Sequence, residues 1–70
     1  MNEESFNLSM RKFLKKVGVT SQQKIEEAVR DASADGSLPP GALPVKVTLS
    51  IPAIGLEHEV EGEIRMEGEE

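Results

Sequence analysis

Cysteine, tryptophan and tyrosine are absent from this 70-residue chain, and phenylalanine occurs only at Phe6 and Phe13. Without cysteine there is no disulfide framework, no thiolate metal site and no thiol nucleophile. Two aromatic rings leave few platforms on which bases or sugars could stack. No apolar run approaches the roughly 18 residues of a membrane-spanning helix. The start, Met1-Asn2-Glu3-Glu4, is acidic where a secretory signal would be basic. The expected compartment is the cytoplasm, and no membrane association is expected. Glycine-rich phosphate loops are missing, and Ser5, Ser9 and Ser21 lack a base partner in the sequence. No cofactor is expected.

What is present suits one small folded domain. A chain this short buries only roughly 60% of its unfolded surface, so its core is marginal. The net charge of −5 is unevenly spread. Residues 1–36 carry six basic and six acidic side chains, whereas residues 37–70 set Lys46 and Arg65 against seven glutamates. That acidic half repels phosphates, so nucleic acid is disfavoured as a partner.

Hydrophobic periodicity gives the elements. Phe6, Met10, Phe13, Leu14 and Val17 recur at helical spacing and predict a helix over about 3–17. Gly18 supplies a stop. Thr20 with Gln23 makes a capping-box pattern for a second helix over about 21–34, whose narrow apolar face is Ile25, Ala28, Val29 and Ala32. Residues 35–43 read as a loop, rich in proline and glycine. The period then changes to two: Val45, Val47, Leu49 and Ile51 predict a strand over about 44–51. After the turn Pro52-Ala53-Ile54-Gly55, a second strand is predicted over about 56–66. A four-residue turn sets Ile51 opposite Leu56, Leu49 opposite His58, Val47 opposite Val60 and Lys46 opposite Glu61. The expected fold is therefore α+β, two amphipathic helices followed by an antiparallel β-hairpin, in one domain over residues 1–66. Because an isolated hairpin is barely stable in water, the helices are expected to cover its apolar face and to bury Val47. The acidic residues 67–70 are expected to be a disordered tail.

The segments Phe6–Gln22 (FNLSMRKFLKKVGVTSQ), Lys46–Pro52 (KVTLSIP) and Gly55–Ile64 (GLEHEVEGEI) together resemble a family of short bacterial proteins described as a domain of unknown function. The resemblance spans nearly the whole chain. It implies a bacterial cytoplasmic protein and carries over no catalytic or binding residue.

Three constellations of residues could carry a function. The first is a helix-turn-helix around Gly18, the basis of a nucleic-acid-binding alternative. It fits poorly, because Leu14 and Lys24 stand where small and apolar residues belong, and the would-be recognition helix carries Glu26, Glu27 and Asp31. The second is the row Glu57, Glu59, Glu61 and Glu63. Same-face strand carboxylates stand roughly 6–7 Å apart, too spread to share one cation, so the row reads as a charged edge that discourages aggregation. No metal is expected. The third is His58, the only side chain that ordinarily titrates near neutrality. Its parity puts it among Leu49, Leu56 and Val60, away from any carboxylate partner, so an enzyme using His58 ranks last. The expectation is a non-enzymatic protein-interaction module with an unidentified protein partner. Its candidate interaction surface is the basic helix face of Leu8, Arg11, Lys12, Lys15 and Lys16. Its candidate edge for homodimer formation is the first strand, Val45, Val47, Thr48, Leu49 and Ile51, pairing about a two-fold axis at Thr48.

Overall fold

A computed structural model describes residues 1–66, which form one long helix, α1 (Glu3–Ala34), and one antiparallel hairpin, β1 (Ala42–Ile51) and β2 (Leu56–Arg65). The chain divides into two compact units, Met1–Leu38 and a second that begins at Pro39. The expected acidic tail, residues 67–70, lies outside the described residues.

Helix α1 begins where the Asn2 side chain accepts a hydrogen bond from the Ser5 amide at 3.0 Å. This satisfies one of the amides that a helix start leaves unpaired. Glu3 and Glu4 in the first turn suit the positive end of the helix dipole. At the other end Gly36 adopts φ 77°, which lets the Ser37 amide reach back to the Ala32 carbonyl at 2.9 Å. Only a residue tolerant of the left-handed region closes a helix this way. The Asp35 carboxylate then accepts from the Ser37 hydroxyl at 2.6 Å and from the Ser37 amide at 3.1 Å. These two bonds, the hydroxyl's first, hold the Asp35 carboxyl below its ordinary value of 3.8.

The expectation of two helices is corrected to one. Gly18 lies inside α1 and is not among the glycines with positive φ. Thr20 does not cap a new helix, since its hydroxyl donates to the Lys16 carbonyl one turn back, at 2.8 Å. The physical reason is a comparison of costs. A glycine inside a helix loses about 1 kcal/mol relative to alanine, whereas a break strands several backbone amides and carbonyls at two new ends. With no proline to force the break, the helix continues.

The hairpin follows the expected register. Ile51 pairs with Leu56, Leu49 with His58, Val47 with Val60 and Lys46 with Glu61. A short 3-10 turn, Pro52–Ile54, joins the strands, and Gly55 at φ 70° closes it with its amide on the Pro52 carbonyl. The strand β1 begins at Ala42, earlier than expected, and includes Pro44 opposite Glu63. In a two-stranded ladder each strand has one free edge, where a missing amide hydrogen is tolerated. At the far end β2 stops at Arg65, one residue short of the expected Met66.

No described residue is buried. Val47, expected in a core, is 45% exposed. Each unit explains this locally. A single helix has no second element of its own to pack on, and a two-stranded ladder has two open faces.

Candidate functional site

The largest apolar feature of the first unit is a stripe along α1. Phe6, Met10, Phe13, Val17, Ser21, Ile25, Ala28 and Ala32 succeed one another at steps of three or four residues, which keeps them on one helix face. Leu14 and Val29 flank the row. Its N-terminal half is bulky and its C-terminal half, apart from Ile25, is small. Phe6 and Phe13 are about half exposed, so the rings are available to a partner. The stripe runs through Gly18 without changing face, because Val17 and Ile25 are eight residues apart and align on one continuous helix. That alignment was the signal for one helix, and the local stop at Gly18 obscured it.

The opposite side of α1 carries the expected basic surface. Leu8, Arg11, Lys12, Lys15 and Lys16 are all exposed on this side, Leu8 at 58%. None of these four cations makes an ion pair among the described residues; the pairs present involve Lys24, Lys46 and Arg65. No helix-turn-helix exists among the described residues, since α1 has no turn at Gly18.

The hairpin separates two chemistries by strand parity. One face holds Val45, Val47, Leu49 and Ile51 of β1 with Leu56, His58, Val60 and Ile64 of β2. The other holds Lys46, Thr48 and Ser50 against the glutamate row. The Ser50 hydroxyl donates to Glu57 at 2.6 Å, and the Lys46 ammonium lies 3.9 Å from Glu59. Arg65 pairs with Glu63 at 3.5 Å. Three of the four glutamates are thus engaged along the hairpin, and no cluster that would hold a metal ion occurs among the described residues. His58 stands opposite Leu49, among apolar neighbours, as its parity indicates. A shallow depression opens beside Gly62, lined by Pro44, Val45, Lys46, Glu61 and Glu63; it brings no nucleophile to a base. The expected self-pairing edge, Val45–Ile51 with Thr48 at its centre, lies on β1, which among the described residues pairs with β2 alone. No helix among the described residues is long and apolar enough to cross a membrane.

A family model described as a family of unknown function (DUF6494) matches residues 1–67. No curated protein and no solved structure matches the chain.

Proposed function

The chain belongs to this family of unknown function (DUF6494), and we propose that it works by binding another polypeptide, as a small non-enzymatic interaction module of the bacterial cytoplasm. One observation carries the reading: no described residue is buried, while large apolar side chains are exposed along one helix face and one hairpin face. Exposed apolar patches of this kind are stabilised by a partner that removes them from water. The α1 stripe offers the anchors that fit such docking, with aromatic and aliphatic side chains at successive helical turns. The basic face of Leu8, Arg11, Lys12, Lys15 and Lys16 adds an attraction for an acidic partner, which raises the rate of encounter more than the affinity.

The test is capture from a native lysate with proteins, nucleic acids and lipids all identified. The wild-type chain should retain a polypeptide that Phe13→Lys loses and Val19→Lys, on the opposite helix face, keeps. Retention of nucleic acid or lipid instead, or equal retention by both variants, contradicts the reading.

A second reading is favoured by the open edge of β1. Its window Val45–Ile51 carries a single charge, Lys46, and lies between Pro44 and Pro52. Two copies pairing there about Thr48 would set Val47 beside Leu49 of the other copy and make one four-stranded sheet. Thr48→Pro removes an amide hydrogen at the centre of that window and should abolish such pairing.

A further inference from the structure

We infer that the partner of the α1 stripe is a second copy of α1, running antiparallel and related by a two-fold axis at the level of Val19. The inference rests on the binding reading above and names its occupant. It comes from a symmetry in the stripe. Its eight positions are placed symmetrically about residue 19, so an antiparallel copy sets Phe6 level with Ala32, Met10 with Ala28, Phe13 with Ile25 and Val17 with Ser21. Every level but one pairs a larger side chain with a small one, and the exception pairs Phe13 with the medium-sized Ile25. Alternating large against small across facing positions lets two helices interdigitate at the usual 8–10 Å separation. A parallel, in-register pair would instead stack Phe6 on Phe6 and Phe13 on Phe13 at one end, and leave Ala28 and Ala32 facing each other across a gap at the other.

Charge is compatible with this orientation, the four cations lying on the side of α1 away from the stripe in either pairing. In the antiparallel pair Arg11 and Lys12 lie level with Glu27 and Glu26 of the other copy, and Lys15 and Lys16 with the neutral Gln23 and Gln22. The like charges Glu3 and Asp35 meet only at the two ends. A two-fold pairing of this kind is closed, because it uses the same patch on both copies.

The experiment uses the full chain, purified, so that no other partner is present. The protein has no cysteine, so Ser9→Cys gives a single attachment site for a nitroxide, at an exposed position that flanks the stripe. Light scattering after size exclusion should give twice the chain mass in the micromolar range, and Thr48→Pro should leave that mass unchanged. Pulsed electron paramagnetic resonance should then give a separation of about 30 Å between the two labels, from ten residues on each side of Val19 at 1.5 Å per residue. A separation under about 20 Å, as for level positions on helices 8–10 Å apart, means parallel pairing and overturns the proposal. A dimer abolished by Thr48→Pro places the interface at β1 and also overturns it. A single-chain mass from micromolar to millimolar overturns it as well. In that case retention of another protein in the lysate capture, sensitive to Phe13→Lys, would leave the broader binding reading standing.

Discussion

Thr20 donates its hydroxyl to the carbonyl of Lys16 at 2.8 Å, across the turn that contains Gly18. This bond is available only if residues 16–20 are helical, and it marks the place where α1 continues instead of turning. A threonine at the start of a new helix would have used the same oxygen as an acceptor.

Gly18→Ala should therefore stabilise the protein. Alanine is favoured over glycine inside a helix by about 1 kcal/mol, and a Cβ at this position meets nothing within 4 Å among the described residues. Urea melts followed by circular dichroism should show a higher midpoint and at least equal helicity. A lower midpoint would indicate a left-handed turn at Gly18, where alanine is penalised.

Gly55→Ala should act in the opposite direction. Gly55 closes the hairpin at φ 70°, a conformation that costs other residues roughly 1–2 kcal/mol. The space around it is open, so the cost is conformational and not steric. Gly55→Asn should recover part of the loss, because asparagine tolerates the left-handed region better. Equal stability of the glycine, asparagine and alanine forms would mean that this turn has a different geometry.

The end of α1 should loosen in acid. Asp35 is held below its ordinary value of 3.8 by bonds from the Ser37 hydroxyl and amide. Its contribution is fully present above that value and is lost as pH falls through the lowered folded value. The Ser37 amide resonance, followed by nuclear magnetic resonance from pH 6 to pH 2, should titrate with a midpoint under 3.8. Asp35→Asn should remove the titration. A midpoint at or above the ordinary value would mean that the Asp35–Ser37 bonds do not form in solution.

The hairpin was legible in the sequence because its information is local and consistent. The two-residue period of Val45–Ile51, the turn at Pro52–Gly55 and the opposition of Lys46 to Glu61 all require one register, and the ladder has it. The start of β1 was less legible. Pro39, Pro40, Gly41 and Pro44 all read as loop residues, and the free edge that tolerates Pro44 is a property of the sheet. In α1 two signals conflicted. Gly18, Thr20 and Gln23 indicate a boundary over six residues, whereas the stripe from Phe6 to Ala32 requires continuity over the full length. The longer signal prevails because every turn of an unbroken helix contributes hydrogen bonds, and a boundary forfeits them. The basic surface was legible from spacing alone. The symmetry of the stripe was not, because it exists only once positions 6–32 belong to one helix.

Sedimentation equilibrium of three chains tests the central claim, that the α1 stripe is the surface which a second copy covers. Wild type and Val19→Asp, whose change lies on the face away from the stripe, should sediment as dimers in the micromolar range. Phe13→Asp, which sets a carboxylate at the bulky end of the stripe, should require at least a ten-fold higher concentration to pair, or remain single. A wild-type chain that stays single, or a Phe13→Asp chain that pairs as tightly as wild type, would contradict the account.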